Sequence, residues 1–123
     1  MSEKSLHPML SPLDPSRARK GKIVTSREAI QLINDNDTVA TGGFVGTGFP
    51  EQIATDIESY FLETGKPRDL TLVYAAGQGD GDKRGLNHFA HEGMVKRIIG
   101  GHWGLCPGLQ KLAIDNKIIS YNL

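Results

Sequence analysis

The stretch Asp37-Thr-Val-Ala-Thr-Gly-Gly-Phe-Val-Gly-Thr-Gly-Phe-Pro50 decides how the whole chain is read, because a short strand enters a glycine-dense turn there and leaves it as a helix. Glycines at 42, 43, 46 and 48 remove four side chains from one tight span. Backbone N–H groups can then approach a ligand, and positive φ becomes accessible. Pro50 suits the first position of a helix, whose N-terminus carries partial positive charge, so the turn is expected to face an oxygen or an anion.

Working outward, Thr25 and Glu28 have the spacing of a capping box, and Ala29, Ile30 and Ile33 recur at helical intervals, predicting a helix over 26–33. Asn34 to Asp37 is a turn cluster, and Thr38 to Thr41 supplies β-branched residues for a buried strand. Beyond Pro50, Ile53, Ile57, Tyr60 and Phe61 mark one face of a helix that Gly65-Lys-Pro67 ends. Leu70 to Ala75 is a strand that runs into a second glycine-rich loop, Ala76 to Gly85. A short helix around 87–94, a strand over 95–99, the loop Gly100-Gly-His-Trp-Gly104, a helix over 107–116 and a strand over 118–121 complete the pattern.

Strands alternating with helices at this spacing predict an α/β fold: a three-layer, open, mostly parallel sheet with helices on both faces and right-handed crossovers. Ligands of such sheets bind beyond the C-terminal strand ends. The three glycine-rich loops, 42–48, 77–85 and 100–104, all fall at those ends and are expected to share one crevice. The sequence stops just after a strand, at Tyr121-Asn-Leu123, which reads as a truncated piece of something larger.

A chain of 123 residues accommodates one domain, and its 38% hydrophobic and 23% charged content is ordinary for a globular protein. Lys+Arg and Asp+Glu both total 14, so the cationic field of a nucleic-acid binder is missing. No apolar run approaches the ~18 residues of a membrane span, so no membrane partner is expected. The single cysteine, Cys106, rules out an internal disulfide and fits a reducing, cytoplasmic setting. Residues 1–21, with Pro8, Pro12, Pro15 and the basic run Arg17-Ala-Arg-Lys20, read as a flexible leader to a domain over 22–123.

Several motifs match only in part. Dinucleotide binding wants GxGxxG, but Gly46-Thr-Gly48 is followed at the third position by Glu51, whose carboxylate opposes a pyrophosphate. A P-loop fits less well still, since no Gly-Lys-Ser/Thr follows the glycines. His88-Phe-Ala-His91-Glu92 resembles zincin spacing without matching it, and hydrogen-bonding histidines are the simpler reading, so no metal site is expected. Asp80-Gly-Asp82 opens like a calcium loop, but Arg84 and His91 stand where ligands belong. Cys106 precedes Pro107 and a helix start, a setting that can activate a thiol, yet no base partner is visible and a packed cysteine is the simpler reading. His102-Trp103, between glycines at the ligand edge, offers a ring to stack on a flat ligand.

Taken together the loops resemble family I CoA-transferases, of the type acting on acetate or propionate. That family's N-terminal signature is met by Asp35-Asn36, Val39-Ala40, Gly42-Gly43-Phe44, Gly48 and Pro50, with Thr41 polar where the pattern wants an aliphatic residue. Phe89-Ala-His-Glu-Gly93 with Lys96-Arg97, and Gly101-His-Trp103 leading to Asn116-Lys117 and Tyr121-Asn122, are similar to the propionate type. The resemblance covers about residues 22–123.

The resemblance implies ping-pong exchange: a glutamate carboxylate attacks acyl-CoA, passes through an anhydride, and becomes a glutamyl-CoA thioester that a free acid then accepts. It implies that Gly42, Gly43, Phe44, Val45, Gly46, Gly48, Gly77 and Gln78 line an acyl or carboxylate pocket. Gly101, His102, Trp103 and Gly104 would form a second wall; Leu105 is apolar where some relatives carry a polar residue. The coenzyme A thioester is then a substrate, with no resident cofactor. Short-chain carboxylic acid is the second substrate, and the complete protein a homo-oligomer. The nucleophilic glutamate belongs to the family's C-terminal half. None of Glu28, Glu51, Glu58, Glu63 or Glu92 matches its motif, so no catalytic residue is expected in this chain and a C-terminal remainder or companion subunit would supply it. The rival expectations are a non-catalytic CoA- or carboxylate-binding module and a nucleotide-binding oxidoreductase domain.

Overall fold

The computed structural model describes residues 23–123; the expected leader over 1–21 lies outside them. The capping box forms as expected: the Thr25 hydroxyl accepts from the Glu28 amide at 3.1 Å, and the Glu28 carboxylate accepts from the Thr25 amide at 3.2 Å. The helix it opens, α1 (Ser26–Ile30), is shorter than the expected 26–33. Gln31, Leu32 and Ile33 each donate to the carbonyl three residues back, a tighter turn that ends the α-helix at Ile30.

Four strands follow in one parallel sheet of order β1 (Thr38–Ala40), β2 (Leu70–Val73), β3 (Val95–Gly100), β4 (Ile119–Asn122). Between them lie α2 (Glu51–Thr64), a 3₁₀ turn (Leu86–Phe89), a second 3₁₀ turn (Trp103–Leu105) and α3 (Pro107–Ile114). The expected helix over 87–94 is that single 3₁₀ turn, with Gly93 at φ 90° placing the backbone outside helical geometry before β3. Gly65 closes α2 in the left-handed conformation, as its sequence predicts.

With strands in sequential order, right-handed crossovers bring every connection to the same face. Accordingly α1 packs on α2, and α2 and α3 both pack on the Leu86–Phe89 turn. Under this layer lie Leu70, Leu72 and Ile98, each fully buried, with Ile30, Ile57, Phe89 and Leu109 above them. The parallel α/β class therefore holds, and the helical layer over the second face is not drawn from residues 23–123. That face carries the register rows Thr71, Arg97, Ile119 and Val73, Ile99, Tyr121. The expectation of a buried β1 is corrected: Thr38 and Ala40 are exposed, because β1 stands at the sheet edge and only Val39 turns toward the core.

The first two signature residues prove to be architectural. Asn36 sits at φ 70°, a left-handed position that Asn or Gly fills most easily. Its amide donates to the Arg68 carbonyl at 3.0 Å, while the Asp35 carboxylate accepts from the Arg68 amide at 3.0 Å. Together they tie the entrance of β1 to that of β2.

Candidate functional site

All three glycine-rich loops lie beyond the C-terminal strand ends. In the first, Gly43 has φ 125°, and a Cβ there would stand 3.0 Å from the Phe49 nitrogen and 3.1 Å from the Thr47 carbonyl oxygen, so only glycine fits. Phe44 and Thr47 exchange reciprocal backbone hydrogen bonds of 2.9 Å, closing a small hairpin that leaves Phe44 64% exposed. Val45 turns at φ 57° and donates its amide to the Gly77 carbonyl at 2.8 Å, which joins the first loop to the second. The amides of Gly46 and Gly48 meet no protein acceptor among the described residues.

Gln78 clamps this arrangement from below. Its buried side-chain amide donates to the carbonyls of Thr41 at 3.1 Å and Gly43 at 3.2 Å, and its Oε1 accepts the Thr41 hydroxyl at 2.6 Å. Thr41, the one departure from the signature, thus uses its polar atom inside the fold. Gly77 is squeezed in turn by the third loop: a Cβ there would meet Leu105 at 2.8 Å and the His102 carbonyl at 2.9 Å. His102 itself stands exposed in the left-handed region at φ 51°, and the Trp103 indole N–H donates to the Gly100 carbonyl at 3.1 Å.

Two depressions open along this edge. One, of about 270 Å³, is lined by Val45, Gly46, Phe49, Glu51, Gly79, Asp80, Arg84 and Gly85. The other, of about 310 Å³, lies between α3 and β4 and is lined by Trp103, Gln110, Ala113, Ile114, Ser120 and Asn122. Val45 and Gly46 therefore face the first and Trp103 the second, while Gly77 and Gln78 are buried between the loops they join.

The 270 Å³ depression has a charged wall that no sequence motif announced. Glu51, the first residue of α2, turns its carboxylate sideways: Oε1 accepts from the Gly85 amide at 2.9 Å and Oε2 lies 2.6 Å from His88 Nε2. Glu51 thus ties the start of α2 to the neighbouring loop. His88 Nδ1 lies 2.6 Å from Glu58, whose other oxygen lies 2.6 Å from His91 Nε2. Burial opposes a charge on His88, but the hydrogen bonds to Glu51 and Glu58 outweigh it and raise its pKa. Burial likewise works against ionised Glu51, and its bonds from His88 and Gly85 prevail, lowering its pKa. The signal in sequence was Glu51, Thr55 and Glu58 at i, i+4, i+7, a polar stripe beside the apolar face of α2.

The remaining candidates resolve into structure. Asp80 accepts the amides of Asp82, Lys83 and Arg84, bracing its own loop. Among the described residues no group of three or more His, Cys, Asp or Glu is arranged to hold a metal ion. Cys106 is fully buried and donates weakly to the Gln78 carbonyl at 3.5 Å; burial pushes its thiol up to about 11, which leaves it unreactive. No helix among the described residues is long and apolar enough to cross a membrane.

The family model described as coenzyme A transferase matches residues 23–123. Over 116 residues the chain is 34% identical to acetate CoA-transferase YdiF of Escherichia coli K12, covering 92% of this chain and 22% of that protein. It is 32% identical over 99 residues to the alpha subunit of acetate CoA-transferase from the same strain, covering 80% of this chain and 42% of that subunit. The solved structure of an acyl-CoA transferase (YdiF) from E. coli O157:H7, in a thioester complex with CoA, superposes with a TM-score of 0.75 at 34% identity, covering 81% of this chain and 21% of that one. The chain thus spans about a fifth of the length of the YdiF proteins it matches. Its glycine-loop signature, its parallel sheet and a match along the whole described length agree: the chain belongs to the coenzyme A transferase family.

Proposed function

We propose that residues 23–123 form the acyl and carboxylate side of the active site of a short-chain acyl-CoA:carboxylate CoA-transferase of the acetate or propionate type. The observation that carries this reading is the 42–48 loop: turned outward at Gly43, clamped by Gln78, and holding the Gly46 and Gly48 amides without protein acceptors among the described residues. Each tetrahedral intermediate of acyl exchange carries an oxyanion, and positioned backbone donors stabilise such charge by about 2.7–4 kcal/mol each.

Gly42, Gly43, Phe44, Val45, Gly46 and Gly48 are assigned to this wall, with Gly77 and Gln78 acting through the backbone they hold. Gly101, His102, Trp103 and Gly104 are assigned to a second wall. The relatives, an acetate CoA-transferase and an acyl-CoA transferase solved as a thioester complex with CoA, support the substrate pair of acyl-CoA and a short carboxylic acid. Coenzyme A enters as substrate, with no resident cofactor, and the complete protein works as a cytoplasmic homo-oligomer.

The nucleophile is a glutamate outside this chain, in a C-terminal remainder or a companion subunit. Its carboxylate attacks the acyl-CoA carbonyl and expels CoA thiolate. The thiolate then attacks the glutamyl carbonyl of the anhydride, releasing the first acid as carboxylate. A second carboxylate reverses the sequence to take up CoA. Glu51 and Glu58 are each engaged with His88, which supports the absence of a free nucleophile here.

The test is propionate-dependent consumption of acetyl-CoA, with the 123-residue chain alone and with the polypeptide encoded beside it. The chain alone is expected to give no exchange, and the pair to give exchange through a hydroxylamine-sensitive enzyme thioester. Turnover by the chain alone would refute the external nucleophile. Tight acetyl-CoA binding without turnover in the pair would instead identify a non-catalytic binding module.

A further inference from the structure

The geometry points to His88 as a positioning residue: clasped as an imidazolium between Glu51 and Glu58, it holds the Glu51 carboxylate on the Gly85 amide and so fixes one wall of the 270 Å³ depression. Both ring nitrogens lie 2.6 Å from carboxylate oxygens, and imidazole donates from both nitrogens only when it carries two protons. His88 is buried, with its side chain 11% exposed, so this charge is shielded from water and depends on its two partners.

The contacts run on without a gap. Glu51 grips the Gly85 amide, and Gly85, at φ 70°, presses so closely on the Gln78 carbonyl that no Cβ fits. Gln78 in turn holds Gly43. A proton on His88 is thereby tied to the backbone of the glycine loop. The charged groups around His88 are Glu51 and Glu58 from α2, Arg84, whose charge acts on Glu51, and His91, which shares Glu58; α3 meets this segment where Gly108 faces Ala90.

Loss of that proton has two consequences. A neutral ring keeps one N–H and cannot donate to both carboxylates; with that hydrogen on Nδ1, toward Glu58, the Glu51 carboxylate is no longer held from the His88 side, which loosens the 79–85 loop. It also becomes an anion that the imidazolium no longer offsets, lining the depression and opposing any bound carboxylate. This second consequence rests on the proposed carboxylate pocket; the first does not.

A pH titration of the ¹⁵N-labelled full chain tests both. Imidazole ¹⁵N shifts report the His88 charge, and amide exchange at Gly85, corrected for intrinsic rate, reports the wall. His88 is expected to stay doubly protonated above the ordinary histidine midpoint of 6.5, and Gly85 exchange to rise about tenfold across the same transition, as expected for loss of one charge-assisted hydrogen bond. In Glu51→Gln the His88 midpoint should fall and Gly85 exchange should cease to follow it. A neutral His88 at pH 6, or Gly85 protection indifferent to its titration, would overturn the assignment, and the wild-type chain alone decides this. Acetate added to the same samples should shift the Val45, Gly46 and Gly85 amides, less so once His88 is neutral. If acetate shifts nothing at any pH while Gly85 still follows His88, the positioning role stands and the pocket reading falls.

Discussion

Gln78 Nε2 donates to the Gly43 carbonyl across 3.2 Å, so the second loop holds the first at the very residue where it turns outward. The same amide group bonds the Thr41 carbonyl and hydroxyl, leaving a buried side chain with every bond directed at the loop. The walls of the site are therefore set by a side chain that does not line either depression.

Replacing Gln78 with Leu keeps most of the volume and strands the Thr41 hydroxyl and two carbonyls. Unfolding in urea should show a loss of about 2–3 kcal/mol at unchanged m-value. Gln78→Glu keeps an acceptor for Thr41 but sets carboxylate oxygens against two carbonyls, and should lose at least as much near neutral pH. A change within a few tenths of a kcal/mol for both would show that the clamp is incidental.

The sequence disclosed the fold through its punctuation. The capping box at Thr25, the stop at Gly65 and the glycines after β1, β2 and β3 are local signals, and each lies where local chemistry sets the backbone. What escaped was non-local. The exposure of β1 depends on which strands flank it, and the shortening of 87–94 on a glycine conformation that packing imposes. The Glu51–His88–Glu58–His91 array joins residues some 30 to 37 positions apart; spacing within α2 shows its polar stripe but not the histidines that stripe meets. The Gly-Gly-Phe loop was legible because its backbone shape is written in residue type; its support by Gln78, 35 residues from Gly43, was not.

The array also sets a pH window for stability. His88 has a raised folded pKa, so its contribution is full below the unfolded value of 6.5 and fades as pH rises through the folded value. Glu51 has a lowered folded pKa, so its contribution is full above the unfolded value of 4.5 and fades as pH falls through the folded value. Thermal midpoints should therefore form a plateau between these limits. His88→Gln should flatten the decline on the alkaline side and reduce plateau stability by about 1–3 kcal/mol, since it leaves two carboxylates without their shared cation. An alkaline decline of unchanged shape in that variant would assign it to other groups.

Gly43 and Gly46 separate folding from ligand approach. A Cβ on Gly43 would press on the Phe49 nitrogen and Thr47 oxygen at 3.0–3.1 Å from a φ of 125°, whereas a Cβ on Gly46 meets nothing within 4 Å. Gly43→Val should thus strain the loop by about 1–3 kcal/mol and abolish turnover in the complete enzyme. Gly46→Ala should change stability by no more than about 0.5 kcal/mol, because it adds a methyl group to open space. Gly46 lines a depression the protein leaves free, so the effect of the added methyl group falls on whatever binds there. Transfer assays on the reconstituted enzyme should show a raised KM for the carboxylic acid in Gly46→Ala with the fold intact. Unchanged KM and kcat in that variant would remove the 42–48 loop from the acid-binding surface, even if Gly43→Val proved inactive, since Gly43 alone cannot distinguish a lost pocket from a distorted one.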